Sequence, residues 1–216
     1  STGIVNVTEL GDCSYTIDGE PTTYDGSVLV SDAGSMADLI ASGGGVAVAE
    51  DMVLPSQIIL NGDTDTTLDL AGNTVTFDGA GIIDLYGNSS ITINGNGAID
   101  QEMTSDLGYL VRAGENSEVV IEDGTFTAGL TCVQAGGNSQ VKIYGGFFKA
   151  LTTYDDRCWI LNLIDKSNAA IEVYGGTFVN YDPTNSVTEN PADNFVADGY
   201  KVVSEDKGNG EIWYTV

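Results

Sequence analysis

The sequence predicts an all-β protein, a right-handed parallel β-helix of about five to six coils with a short N-terminal capping helix and a C-terminal β-hairpin. One phrase carries this prediction: an asparagine, three residues later an apolar-x-apolar triplet, and then a glycine. Phrases that recur every 20 to 50 residues are typical of solenoids, and alternation with a period of two predicts strands rather than helices. The four triplets lie 28, 22 and 30 residues apart and begin at Ile91, Val119, Val141 and Ile171.

Each unit contains two further apolar segments, one directly after the glycine and one in the remaining part. Three short strands per unit of 22 to 30 residues predict coils that stack on one another, with inward side chains in columns. Leu68 and Val46 extend the triplet series toward the N-terminus. The repeated asparagines are expected at bends, where they tolerate left-handed backbone, and the glycines at corners with positive φ.

Composition limits the possible partners. The chain has 216 residues, 32 of them acidic and 7 basic, with a formal charge of −25. This balance argues against nucleic acid, which is bound through Lys and Arg, and against anionic membrane surfaces. No run of 18 apolar residues occurs, so no membrane insertion is expected. Ser1 follows either a removed initiator Met or a removed signal peptide, and both alternatives stay open.

The chain divides into four parts. Residues 1–31 predict an N-terminal β extension that is a candidate docking segment, and residues 32–45 predict a capping helix started by Ser35. Coils are expected over 46–180, with inserts at 100–108 and 150–159, and a cap with a hairpin over 181–216. The three cysteines have no metal spacing, so buried free thiols are expected, while a disulfide between the last two stays open. They are Cys13, Cys132 and Cys158.

Two phrases carry a resemblance to a known superfamily. Val141-Lys-Ile-Tyr-Gly-Gly-Phe-Phe and Ile171-Glu-Val-Tyr-Gly-Gly-Thr-Phe resemble coils of the pectate-lyase-like right-handed β-helices. They are most similar to the Gly-Gly-Thr-Phe solenoids of bacterial surface proteins and of bacteriophage fibres, tailspikes and head decorations. The resemblance spans about residues 46–203. It implies the fold but no single activity, because this scaffold carries lyases, hydrolases, adhesins and structural fibres.

An enzymatic role would need paired carboxylates across a glycosidic bond. The best candidates are Asp155 and Asp156, with Asp84, Asp100 and Glu102 elsewhere. The polygalacturonase-like relatives implied by the resemblance also carry a Gly-His-Gly and an Arg-x-Lys motif, whereas this chain has no histidine. Pectate-lyase-like relatives use Ca²⁺ and an arginine base. The two arginines here, Arg112 and Arg157, lack a neighbouring catalytic signature, so no enzyme and no cofactor are expected.

Two groups of residues are candidate binding sites, one for Ca²⁺ and one for a glycan. Asn61, Asp63 and Asp65 resemble the first half of a Ca²⁺ loop but lack its central glycine and terminal glutamate, so a solvated turn is favoured. Tyr109, Tyr154 and Trp159 are candidates for stacking on a glycan. Two further tyrosines at equivalent positions of successive coils, Tyr144 and Tyr174, are expected to stack on each other.

The expected function is that of a non-catalytic structural or attachment protein. A bacteriophage virion component of the capsid-decoration or head-fibre type is favoured, a homotrimer docked on a virion protein through its N-terminal segment. The alternative is a secreted or cell-surface adhesin that binds host glycans. A polysaccharide lyase or hydrolase is the third hypothesis.

Overall fold

The computed structural model describes residues 23–24, 27–101, 108–190 and 194–216. Within these ranges the chain forms one helix and many short strands. In chain order they are β1 (Thr23–Tyr24), β2 (Ser27–Val30), α1 (Ala33–Ser42), β3 (Gly44–Val48), β4 (Met52–Val53), β5 (Ile58–Leu60), β6 (Asp65–Asp69), β7 (Thr74–Phe77), β8 (Gly81–Leu85), β9 (Ser90–Asn94), β10 (Ala98–Gln101), β11 (Tyr109–Ala113), β12 (Glu118–Ile121), β13 (Thr125–Ala128), β14 (Thr131–Ala135), β15 (Gln140–Ile143), β16 (Phe147–Ala150), β17 (Leu161–Leu163), β18 (Ala170–Val173), β19 (Thr177–Val179), β20 (Val203–Asp206) and β21 (Ile212–Thr215).

The strands build a right-handed parallel β-solenoid of about five turns, as predicted. Each turn contributes one strand to each of three sheets. The first sheet has the order β1-β2-β3-β6-β9-β12-β15-β18, the second β20-β21-β19-β16-β13-β10-β7-β4 and the third β17-β14-β11-β8-β5. Among these named strands, antiparallel pairs occur only at the two ends of the described solenoid, between β1 and β2 and around β21.

The predicted columns of the first sheet are confirmed. Ile91, Val119, Val141 and Ile171 lie in register on successive strands and are buried. The extension toward the N-terminus is wrong by two residues, because Leu68 pairs with Ile93 and Thr66 takes the position below Ile91. A buried hydroxyl needs a hydrogen-bond partner. Thr66 Oγ1 donates to the carbonyl oxygen of Ile40 at 2.9 Å, which ties the first coil to the end of α1.

A column of phenylalanines fills the solenoid beneath the second sheet. Phe126, Phe148 and Phe178 are fully buried, and the ring of Phe148 lies parallel to both neighbours with centroids 5.0 and 4.8 Å away. Each ring comes from the strand that follows the repeated glycine, so the sequence repeat places one aromatic ring per coil in this part of the core.

The corners use asparagine differently from the prediction. One glycine after each triplet does have positive φ, as expected, but the repeated asparagines do not. Instead their side chains form a ladder of hydrogen bonds across the coils. The Nδ2 of each asparagine donates to the Oδ1 of the asparagine in the preceding coil at 3.1–3.3 Å. At the N-terminal end of the ladder, Asn88 Nδ2 donates to Asp63 Oδ1 at 2.7 Å. The residue with left-handed backbone conformation lies directly before the asparagine, for example at Gly87, Glu115 and Gly137. The ladder consists of Asn88, Asn116, Asn138 and Asn168.

The helix α1 covers the N-terminal end of the coil stack. Its apolar side chains Met36 and Ile40 are completely buried against the first coils. The N-cap is Asp32 rather than the predicted Ser35. Asp32 Oδ2 accepts from the Ser35 hydroxyl at 2.6 Å and from the Ser35 backbone N–H at 2.8 Å, and these two hydrogen bonds lower the pKa of Asp32. Most of the predicted 1–31 docking segment, residues 1–22 and 25–26, lies outside the described residues.

The C-terminal part covers the opposite end, sheet by sheet. Val196 forms a parallel bridge with Val173 of β18, and Thr188 Oγ1 accepts from the Leu163 backbone N–H of β17 at 2.7 Å. The hairpin of β20 and β21 continues the second sheet through β19. Its first strand begins at Val203, within the predicted 181–216 segment.

Two remaining expectations concern the cysteines and the membrane. Within the described residues Cys132 and Cys158 are both free thiols. Cys132 is completely buried, and burial raises its pKa, whereas Cys158 is half-buried rather than fully buried. Cys13 lies outside the described residues. No helix in the described ranges combines the length and hydropathy of a membrane span.

Candidate functional site: an aromatic groove on the third sheet

A groove with a volume of about 430 Å³ lies over the outer face of the third sheet, at its C-terminal end. The strands β11, β14 and β17 form its floor, and the insert at residues 150–159 forms one wall. The three predicted glycan-stacking residues, Tyr109, Tyr154 and Trp159, all line it, although they lie up to 50 residues apart in sequence. The remaining lining residues are Gly108, Leu130, Thr131, Gln134, Asn162 and Glu189.

The wall is a miniature hairpin. Tyr154 and Arg157 exchange two backbone hydrogen bonds of 3.0 and 3.1 Å around Asp155 and Asp156. Both aspartates have positive φ, 53° and 58°, as a two-residue type I′ turn requires. Trp159 Nε1 donates to the Tyr154 carbonyl oxygen at 3.1 Å, and the two rings stand nearly perpendicular, 73° apart with centroids 6.1 Å apart. The insert therefore presents two aromatic rings in a fixed relation.

The opposite aromatic residue, Tyr109, is anchored to the neighbouring coils. Its hydroxyl donates to Asp84 Oδ2 at 3.2 Å and accepts from Gln57 Nε2 at 3.3 Å. The ring lies against Gly81, where any side chain would collide with it. Burial raises the pKa of Tyr109, and the charge of Asp84 acts in the same direction. Tyr109 thus contributes a ring of fixed position whose hydroxyl already has partners.

The floor carries a row of outward residues, one from each coil of the third sheet. Strand register places them side by side, and successive strands are about 4.8 Å apart. Asn162, at the C-terminal end, is buried and holds Glu189 in place: its Nδ2 donates to Glu189 Oε1 at 2.9 Å, and its Oδ1 accepts from the Glu189 backbone N–H at 3.0 Å. The row runs Ile59, Asp84, Arg112, Gln134 and Asn162.

The sequence interpretation missed the pairing of Asp84 and Arg112. They are register partners on β8 and β11, so Arg112 does have an acidic neighbour. Asp84 is 4% exposed and also accepts from the Tyr86 hydroxyl at 3.0 Å. Asp84 Oδ1 and Arg112 Nε are buried without hydrogen-bond partners among the described residues. The 28-residue spacing of the triplets Ile91 and Val119 was the available signal, since it also separates these two residues.

The best candidates for a catalytic pair lie apart from the groove lining. Asp155 and Asp156 occupy the exposed tip of the insert hairpin, and neither lines the groove. Asp100 lies on β10 of the second sheet with a buried Oδ1, and Glu102 lies outside the described residues. Of the candidate carboxylates with described positions, none therefore lines the groove.

The candidate metal ligands are used within the solenoid. Asp63 Oδ1 accepts from Asn88 Nδ2 at 2.7 Å, and Asp65 Oδ1 accepts from Ser90 Oγ at 2.5 Å, while Asn61 is exposed. Among the residues with described positions, no group of three Cys, Asp or Glu side chains has the arrangement of a metal site. Hydrogen bonds between coils therefore account for the two aspartate side chains.

A second aromatic set lies outside the groove. Tyr144 and Tyr174 stack as predicted, with centroids 4.9 Å apart and an interplanar angle of 16°, and Tyr200 packs edge-on against Tyr174. Tyr144 is 50% exposed, nearly the same as Tyr154 at 53%. These tyrosines provide a matched reference for the groove residues.

Comparisons with known proteins add no further assignment. No family model matches this chain, and no significant match was found among curated proteins or solved structures.

Proposed function

We propose that this protein is a non-catalytic attachment protein that binds a glycan in the aromatic groove. The observation that carries the proposal is the convergence of Tyr109, Tyr154 and Trp159 on one groove with Gln134 and Glu189. Sugar rings present C–H faces that pack on aromatic side chains, while their hydroxyl groups need polar partners. The groove supplies both kinds of contact, and its size suits one or a few sugar units.

The floor supports a glycan that lies along the solenoid axis. Outward residues repeat at about 4.8 Å from coil to coil, close to the length of one sugar unit in an extended chain. Gln134 lines the groove, is only half-buried and makes no side-chain hydrogen bond to the described residues, so its amide is available to a ligand. Asn162, in contrast, is occupied by Glu189 and Thr188 and acts as support.

The test is a glycan array followed by titration of the best ligand against three variants. Trp159→Ala is expected to weaken binding about tenfold or more, because central aromatic residues dominate such contacts. Tyr154→Ala should weaken it several-fold. Tyr144→Ala removes an equally exposed tyrosine outside the groove and should leave the affinity unchanged. Equal losses in all three variants, or no ligand on the array, would contradict the proposal.

We further propose that a bacteriophage virion carries the protein, as a homotrimer docked through residues 1–31. The resemblance of its coils to Gly-Gly-Thr-Phe solenoids of phage fibres and decorations supports this location, and a bacterial cell surface is the alternative. Light scattering tests the trimer: a mass three times the 22.6 kDa of one chain is expected, and a stable monomer would contradict it. Removal of residues 1–22 should abolish incorporation into particles and preserve glycan binding.

A further inference from the structure

We infer that the glycan bound in the groove carries positively charged amino groups, as a polymer of unacetylated amino sugars does. This inference rests on the proposed function and specifies its ligand class. Three features support it: the positioned carboxylate of Glu189 in the groove, the neighbouring aromatic rings of Tyr154 and Trp159, and the net negative charge of the molecule.

The carboxylate is that of Glu189, which lines the groove and is exposed to solvent. It is held by Asn162 on Oε1 and, at 3.3 Å, by the Asp165 backbone N–H on Oε2. Each carboxylate oxygen accepts more than one hydrogen bond, so both keep capacity for a ligand donor. An ammonium group offers three donors and a full charge, which makes it a stronger partner for this carboxylate than a neutral hydroxyl or acetamide.

The aromatic pair adds a second attraction for cations. Trp159 and Tyr154 pack edge to face, with ring planes 73° apart and centroids 6.1 Å apart, so a ligand group stacks on a ring face outside this contact. Cations are attracted to the faces of aromatic rings, most strongly to that of tryptophan. The same protein shows this contact elsewhere: Lys207 Nζ lies 4.2 Å from the centre of the Trp213 ring.

The charge of the molecule favours the same class of ligand. A formal charge of −25 attracts cationic polymers and repels polymers of uronic or sialic acids. Near the groove, Arg112 is adjacent to Asp84, and Arg157 follows Asp155 and Asp156 directly. These two arginines are therefore accompanied by carboxylates, and Glu189 is the charged residue of the groove lining.

The experiment compares two forms of one oligosaccharide by isothermal titration calorimetry with the full chain. Chito-oligosaccharides of equal length are used, one fully N-acetylated and one deacetylated, at about pH 5.5, where amino groups are protonated. We expect the deacetylated form to bind about tenfold more tightly or better, and its affinity to fall as salt is added. Glu189→Gln should remove most of this difference, chiefly by weakening the binding of the deacetylated form.

The control is Glu205→Gln, which changes the net charge equally but lies on the C-terminal hairpin, where Glu205 pairs with Lys207. It should preserve the preference. Equal affinity for the two forms, preference for the acetylated form, or an unchanged preference in Glu189→Gln would overturn the inference while leaving the proposed function in place. If neither form binds but another glycan on the array does, the inference is likewise overturned. A protein that binds no glycan at all would fail the proposed function itself.

Discussion

Two sets of aromatic residues in this solenoid have different origins. The interior column of Phe126, Phe148 and Phe178 comes from equivalent positions of three consecutive coils and is buried completely. The groove residues Tyr154 and Trp159 come from an insert that interrupts the repeat. Aromatic residues at equivalent positions of the repeat stack on one another and stabilise the fold. Residues that depart from it have no such copies to pack on, and they remain available to a ligand.

The largest expected effect is on the interior column. Phe148→Ala removes the central ring and leaves a cavity between two others, which should lower the free energy of unfolding by about 3–5 kcal/mol. Chemical denaturation measures it. Tyr154→Ala, at the groove, should change stability by less than about 0.5 kcal/mol, because an exposed side chain adds little to the core. A similar loss for both variants would erase the distinction between the two aromatic sets.

The next effect concerns a repeated corner. Gly146 has φ of 108°, a conformation that residues with a side chain rarely adopt, and a methyl group there would lie 3.0 Å from the Gly124 carbonyl oxygen. Gly146→Ala should therefore cost about 1–3 kcal/mol. The matched control is Gly199→Ala, which also has positive φ, 87°, but open space around it. Gly199→Ala should lower the free energy of unfolding by less than Gly146→Ala does. Thermal denaturation of both variants therefore separates the effect of the steric contact with Gly124 from that of the positive φ alone.

The repeat explains which parts of this structure were predictable. Ile91, Val119 and Val141 fall in one column because strand alternation and a fixed corner leave a single register. The N-terminal register was misassigned because Leu68-Asp-Leu70 imitates a triplet, whereas the buried hydroxyl of Thr66, bonded to α1, occupies the aligned position. An apolar pattern alone does not reveal a polar residue that is buried with its partner.

The candidate site was predictable only in part. Tyr109, Tyr154 and Trp159 were selected for their residue type, and the structure brings them together. The triplet spacings of 28 and 22 residues would also have aligned Asp84, Arg112 and Gln134, whereas Asn162 lies 28 residues after Gln134 and the corresponding triplet spacing is 30. Glu189 gave no such signal, because it follows the last complete coil in an irregular segment whose path depends on side-chain hydrogen bonds to Asn162 and Leu163.

A smaller effect sharpens the role of the insert. Asp155 and Asp156 adopt positive φ, for which Asn-Gly is the preferred pair in a type I′ turn. The double variant Asp155→Asn, Asp156→Gly should stabilise the hairpin by about 0.5–1 kcal/mol. Hydrogen exchange measures it at the Arg157 backbone N–H, which donates to Tyr154 at 3.1 Å and should exchange several-fold more slowly. The variant also removes both candidate catalytic carboxylates, so turnover of a polysaccharide by the wild type but not by the variant would support the lyase or hydrolase hypothesis instead.

The smallest effect lies at the C-terminal cap, where an ion pair joins the hairpin to the last coils in addition to the strand pairing of β21 with β19. Glu211 accepts from Lys149 Nζ at 2.7 Å and from Trp213 Nε1 at 3.1 Å, and the hydrogen bond from Lys149 is the main reason that its pKa is lowered. A carboxylate with a lowered pKa stabilises the folded state at pH values above its unfolded pKa, about 4.3, and loses this contribution as pH falls through the folded pKa. Glu211→Gln should therefore lower Tm slightly at neutral pH, and the Tm difference should vanish as pH falls through the folded pKa, below which the wild-type side chain is uncharged as well. A Tm difference that persisted in acid would mean that the shape of the Glu211 side chain, and not its charge, makes this contribution.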